Sequence, residues 1–344
     1  MDLQASILLL LCCVTPAFGA PPPAATRPVK ILFDTDMQTD CDDAAALGIL
    51  HVLADKGEAE ILATVTSVKG HWSAACVDAI NTYYGRADLP IGIVTDPAGV
   101  ENPSKYVRMV AEACPHDTKT EKRLPDAVEV YRRVLEAQPD GSVVLVTVGY
   151  LTNVKNLLAV KAEGGRLSGR ELARRKVKLW VCMGGNFIGS PAKDDLKLGN
   201  VNFTRDAKSA LSAIRDWPGR IVFVGREVAS VPSGVKIGSS LKTVPADHPV
   251  RIAYRAYFDG VEKDRHVADP ASVLFAVRGY HDYWDEGPAG RLDLKADMTF
   301  EWLADPAGPQ RYLLKKRTSD GKPNDRAIER ALNELLTQPR RQGQ

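Results

Sequence analysis

Short apolar runs alternate with longer segments whose apolar positions recur at helical spacing, and the alternation holds for most of the chain. Residues 29–33, 61–68, 91–94, 143–148, 177–183 and 221–224 are short and rich in Val and Ile, and predict buried strands. Residues 42–56, 72–84, 126–137, 152–162, 168–176 and 205–214 predict helices; in the first of them Ala44, Leu47, Ile49, Leu50 and Leu53 are the apolar positions. Strands that are apolar throughout must be covered on both faces. The interleaving therefore predicts an α/β fold with a mainly parallel open sheet flanked by helices, a Rossmann-like core. Two stretches break the rhythm. Residues 95–124 hold Pro97, Pro103, Pro115 and many charges, and read as a long loop with one short helix at 105–113. From Pro245 onward helical segments dominate, ending in a polar tail punctuated by Gly287, Gly290, Pro306 and Pro309. No compositional break marks a linker, so residues 29–340 are read as one domain.

The N-terminus predicts targeting rather than fold. Residues 7–14 are unbroken apolar, and Ala17-Phe18-Gly19 places small residues where a signal peptidase reads. Residues 1–19 are thus expected to be a signal peptide and 20–28 an extended Pro-rich leader, giving an exported protein, periplasmic or secreted. The n-region departs from the usual pattern in carrying Asp2 and no Lys or Arg. Once Cys12 and Cys13 leave with the leader, Cys41, Cys76, Cys114 and Cys182 remain. Their wide spacing, without a CxxC, excludes a zinc knuckle or a thioredoxin site. Cys76 and Cys182 sit in apolar contexts that suit core thiols, and a disulfide among the four stays open.

Bulk composition narrows the partners. With 344 residues, 44% hydrophobic and 26% charged, the chain can bury a full-sized core. A net charge of +2 without a dense basic stripe argues against nucleic acid as a partner. No stretch is long and apolar enough to span a bilayer, so no membrane partner is expected.

The chemistry is concentrated behind the first strand. Asp34, Asp36, Asp40, Asp42 and Asp43 lie within ten residues, at a strand exit that leads into a helix. One or two acids would suit a helix dipole; five repel one another unless a cation sits among them. Carboxylate oxygens are hard ligands that suit Ca²⁺ or Mg²⁺, and open α/β sheets place their ligand crevices at such strand ends.

Asp34-Thr35-Asp36 followed by Asp42-Asp43-Ala44 resembles the N-terminal signature of the inosine-uridine nucleoside hydrolase family, usually DTDPGxDDAxAL. Here the chain has two extra residues before the Asp pair, and Met37-Gln38 stand for Pro-Gly. Val148-Gly149-Tyr150-Leu151-Thr152-Asn153 resembles the family's TGPLTN segment, and Val181-Cys182-Met183-Gly184-Gly185 its VxMGG strand end. Asn202 with Asp206 is similar to the EFNxxxD segment, and Asp269-Pro270 to the late HDP element. The matches run in order from about residue 29 to residue 278.

The resemblance implies the nucleoside hydrolase fold, a Ca²⁺ cofactor and hydrolysis of the N-glycosidic bond of ribonucleosides to free base and ribose. That reaction passes through an oxocarbenium-like state, with water activated on one face and the base leaving from the other. A carboxylate-held Ca²⁺ can order vicinal hydroxyls beside the attacking water and lower the pKa of that water. Carried over by position, Asp36 is the catalytic base and a metal ligand, Asp43 a bidentate ligand, Val148 a carbonyl ligand and Asp269 the last ligand. Asp42 and Asn202 would bind the sugar, and Asp34 would support the ligands from behind. Asp40, part of the insertion, stays open as an alternative ligand. The family's late His is here Ala268, with His266 the nearest imidazole; the Glu of EFN is Asn200, and the Asn after the second strand is replaced near His71. His71, His266 and Trp284 are carried as base-side or sugar-side candidates, with Trp72, Tyr150 and Tyr283 as further aromatic platforms. Glu227 resembles an acidic position in a bacterial exported subgroup and is a ribose-site candidate, with a buried salt bridge as its alternative role. Relatives are often homodimers or homotetramers.

Other readings compete. A ribose- or nucleoside-binding protein with weak catalysis would fit the altered Ala268, Asn200 and His71 positions. A haloacid-dehalogenase-type phosphatase would use Asp34-Thr35-Asp36, but Gln38 stands where Thr or Val is expected. Neither GxSxG, a P-loop, GxGxxG after a strand nor HExxH is present.

Overall fold

The computed structural model describes residues 27–70, 72–118, 124–187, 201–230 and 233–341. The proposed signal peptide, most of the leader, His71 and Asn200 lie outside the described residues. The strands, in chain order, are β1 (Val29–Thr35), β2 (Ala59–Thr66), β3 (Val68–Lys69), β4 (Ile91–Ile93), β5 (Val100–Glu101), β6 (Val143–Thr147) and β7 (Val177–Met183). They continue with β8 (Ile221–Val224), β9 (Lys236–Ile237), β10 (Arg265–His266), β11 (Trp284–Glu286), β12 (Gly290–Leu294), β13 (Phe300–Ala304) and β14 (Gln310–Lys315).

The large sheet runs β13-β12-β14-β8-β7-β6-β1-β2-β4, with β11 pairing β14. Every pair from β14 to β4 is parallel. The chain builds β1, β2 and β4 outward in one direction, then returns to β6 and builds β7 and β8 in the other. The strand order thus reverses between β1 and β6, whose carboxyl ends open a crevice at that switch point.

Strand β1 shows why both faces are covered. Ile31 and Phe33 join one apolar cluster with helices Asp42–Asp55, Ser73–Tyr83, Ala268–Arg278 and Asp325–Leu336. Leu32, pointing the other way, joins a second cluster with helices Ala127–Ala137, Thr152–Ala159 and Ala207–Asp216. Helix Asp42–Asp55 is buried from Asp42 through Leu53, all round rather than on one face, as a central helix must be.

The sequence reading needs one correction in this part of the molecule. The expected polar tail is not irregular: β14 joins the sheet parallel to β8, β11, β12 and β13 extend it by antiparallel pairings, and helix Asp325–Leu336 packs back on the first cluster. These strands lie at or near the sheet edge, where each buries only some of its residues, so polar residues interrupt the apolar pattern. The long loop also carries the two-residue strand β5, paired with β3, besides its short helix Val107–Ala113. Cys41, Cys76, Cys114 and Cys182 are all buried free thiols, with no disulfide among them.

Candidate metal centre and active site

A cleft of about 310 Å³ opens at the switch point, and its floor is acidic: Asp36, Asp40, Asp42, Asp43 and Asp269 all line it. Asp36 follows β1, Asp42 and Asp43 begin helix Asp42–Asp55, and Asp269 lies in the first turn of helix Ala268–Arg278. Two helix N-termini therefore converge on the cluster, and their dipoles favour negative charge there by a modest amount, about 0.3–1 kcal/mol each. That falls well short of the cost of packing these carboxylates together without a counter-ion, since one ionic contact at 4 Å is worth about 4 kcal/mol at an effective dielectric of 20.

Ligand oxygens of Asp42, Asp43 and Asp269 all lie within 4.8 Å of one another. None of the three is more than 5% exposed. One oxygen of Asp42, Oδ2, is buried with no hydrogen-bond partner among the described residues. Burial first, then the neighbouring acids, pushes the carboxyls of Asp42, Asp43 and Asp269 well above the usual range. Asp36 is pushed to about 7 by burial, with Tyr150 pulling it back. Val148 lines the cleft just beyond β6, and its carbonyl accepts a 2.8 Å hydrogen bond from the Asn202 amide. A carbonyl oxygen has a second lone pair, so that bond leaves it able to face a cation. An orphaned buried oxygen, three convergent carboxylates and an all-oxygen donor set fit a hard divalent ion.

Asp34 is buried as completely as the cluster but is bonded differently. Tyr131 donates to it at 2.7 Å, and Asn153 donates at 3.1 and 3.3 Å. Burial still raises its carboxyl to about 7 against those bonds. Asn153 also donates to the Thr66 carbonyl at 3.1 Å, so Asp34 ties β1 to the end of β2 beneath the cleft. Thr35 donates to Asp43 and fixes one oxygen of that carboxylate.

Asp40 is spent on a different partner. Arg265 Nε bonds its two oxygens at 2.8 and 2.9 Å, and Nη2 adds a further bond. Asp40, Asp42 and His266 do bring ligand atoms within 4.8 Å of one another, but a guanidinium fixed on Asp40 repels a cation there. The insertion that carries Asp40 is anchored by Ser73, which donates to the Met37 carbonyl at 2.8 Å, and by Gln38, which donates to the Lys69 carbonyl at 3.0 Å. Gly70 leaves room for this: a Cβ there would lie 1.6 Å from the Gln38 amide nitrogen. His266 lines the cleft 3.6 Å from Asp40 and 3.8 Å from Asp42. Burial and then Arg265 lower its pKa to about 4, so the imidazole is neutral at pH 7.

The structure places other predicted residues away from the cleft. Trp284 is fully buried in the core, edge-on to Phe275 and Tyr283. Glu227 does not line the cleft; its Oε1 accepts the Phe187 backbone N–H at 3.3 Å, bracing the loop after β7. Tyr283 is core, and Trp72 is half-buried with Arg108 stacked over its ring. Tyr150 is buried rather than open to a base, and its hydroxyl stands between Asp36 and Asn102. Sequence reasoning missed Arg205, Arg265 and Tyr257, all of which line the cleft. Arg265 had one signal, an inserted aspartate in need of a partner, but a separation of 225 positions hides the pairing.

No family model matches the sequence, and no curated protein matches it. Solved structures do match along nearly the whole chain. A plant nucleoside hydrolase is 18% identical with a TM-score of 0.61, covering 91% of this chain and 100% of its own. A purine-preferring ribonucleoside hydrolase from Gardnerella vaginalis is 14% identical with a TM-score of 0.66, over 90% and 98%. The type III effector protein XopQ, solved in complex with adenosine diphosphate ribose, is 17% identical with a TM-score of 0.64, over 90% and 94%. The chain has the nucleoside hydrolase fold, with a sequence far diverged from these neighbours.

Proposed function

We propose that this protein is a metal-dependent N-glycosyl hydrolase that releases the free base from ribonucleosides, with Ca²⁺ as its metal. One observation carries the reading: Asp42, Asp43 and Asp269 converge, buried, at the switch-point crevice with ligand oxygens within 4.8 Å of one another. A bound Ca²⁺ would supply a Lewis acid for water and a template for vicinal sugar hydroxyls. Asp43, Asp269, Asp36 and the Val148 carbonyl would hold it, and their oxygen-only chemistry suits it.

The remaining work falls to the chain. Asp36, just beyond β1 and lining the cleft, takes a proton from the attacking water as the general base. Tyr150 orients Asp36 by a hydrogen bond, and Asn102 in turn donates to Tyr150. Asp42 leaves Oδ2 without a partner among the described residues, so it is the acceptor for a sugar hydroxyl. Asn202 holds the Val148 carbonyl in place while lining the sugar side of the cleft. The C1′–N bond then breaks toward the base, and water's oxygen ends on C1′. His266, neutral at pH 7, accepts or donates a hydrogen bond near the leaving base but is not a standing acid.

The test is an assay for free base from inosine, adenosine, uridine and cytidine, with calcium and with chelator. Release that needs calcium and drops at least about 10³-fold in Asp36→Ala is expected, a loss typical of removing a base together with a ligand. Saturable nucleoside binding with no product would favour a binding protein instead.

A further inference from the structure

The acidic floor accounts for a sugar and a metal, but the same cleft carries two guanidiniums that neither requires. Arg265 spends Nε and Nη2 on Asp40 and lies over the Tyr257 ring at 5.3 Å. Among the described residues its Nη1 has no hydrogen-bond partner. Arg205, just after the short helix Val201–Thr204, is exposed at the mouth. Its side chain donates to the carbonyl of Asn102, a neutral amide, and among the described residues to nothing else. A guanidinium present only to balance the floor would sit on a carboxylate, as Arg265 does on Asp40. Arg205 lines the same cleft as Asp36, yet it bonds an amide instead.

The ligand that fits both layers has a ribosyl end for the floor and an anionic end for the rim. Guanidinium forks match phosphate oxygens two at a time, and such charge-assisted bonds are roughly twice as strong as neutral ones. A neutral nucleoside would leave these N–H groups unused.

Resting on the hydrolase reading, we propose that the preferred substrates are ribosides bearing a phosphoryl group on the 5′ side, recognised by Arg205 with help from Arg265. The chemistry keeps its balance. Water's oxygen bonds to C1′, the C1′–N pair leaves with the base nitrogen, one water proton passes to Asp36 and on to solvent, and the departing base nitrogen takes up a proton from solvent. The phosphate ester is untouched, so the products are a free base and a ribose 5-phosphate.

The experiment compares kcat/KM for inosine 5′-monophosphate and inosine, and for adenosine 5′-monophosphate and adenosine, in the wild type and in Arg205→Gln, all in calcium. The wild type should favour the monophosphates, and Arg205→Gln should reduce the monophosphate-to-nucleoside ratio about tenfold or more, the loss expected for one charge-assisted contact. Arg205→Lys should recover part of the ratio, because it keeps the charge and loses the fork. A wild type that handles nucleosides as well as or better than their monophosphates would overturn this inference and leave the hydrolase reading standing. So would a ratio that Arg205→Gln does not move. Base released from none of the four substrates would overturn both.

Discussion

Two sets of buried aspartates a few ångströms apart in the fold are stabilised in opposite ways. Asp34, one layer below the cleft, faces donors: Tyr131 and Asn153 give it hydrogen bonds on both oxygens. Asp42, Asp43 and Asp269, at the strand exit, face mainly one another, and among the described residues Oδ2 of Asp42 has no hydrogen-bond partner. The first arrangement is how a protein buries a charge for structure, because hydrogen bonds offset desolvation. The second is costly to the empty protein and is retained where a ligand repays it. Burial alone does not separate the two sets; their partners do.

Mutations sharpen that contrast. Asp43→Ala should lower turnover at least about 10³-fold by removing a metal ligand. Its thermal midpoint without metal should fall less than that of Asp34→Ala, because relief of the crowded acids offsets the acceptor that Thr35 loses. A midpoint that falls by several degrees while turnover persists would make Asp43 a structural acid like Asp34. Asp34→Ala should act in the reverse sense. Two donors would lose their acceptor in a dry layer, costing about 2–4 kcal/mol in denaturant unfolding. A fully stable Asp34→Ala protein would erase the distinction.

Glu227, which accepts the Phe187 N–H on Oε1 while Oε2 has no partner among the described residues, provides a smaller, independent check on burial with few donors. Burial raises its carboxyl to about 7 from 4.5, so the folded state holds a proton that the unfolded state has released between those values. Its stabilising contribution is present at low pH and is lost as pH rises through that window. Glu227→Gln should therefore gain stability relative to the wild type between pH 5 and pH 8, on the order of 1–3 kcal/mol. Identical pH profiles of the two thermal midpoints would contradict this.

Much of the frame was legible because parallel strands buried on both faces write themselves as apolar runs: β1, β6, β7 and β8 lie close to where periodicity put them. Strands β11 to β14 were not legible, since each shows solvent a share of its residues. The acids of the site were visible because Asp34, Asp36, Asp42 and Asp43 are close in sequence, with Asp269 found only by motif. The cations were not, because Arg265 meets Asp40 across 225 residues and no local pattern encodes such a pairing. Trp284 misled because aromatic content near the end of a chain says nothing about which face it serves; here it fills the core.

Titrating calcium into the metal-free protein by calorimetry tests the central claim most directly. The account predicts one ion bound per chain in the wild type, loss of that binding in Asp43→Ala, and its retention in Asp40→Asn, whose carboxylate belongs to Arg265. No calcium binding by the wild type, or binding that Asp40→Asn abolishes and Asp43→Ala leaves intact, would contradict it.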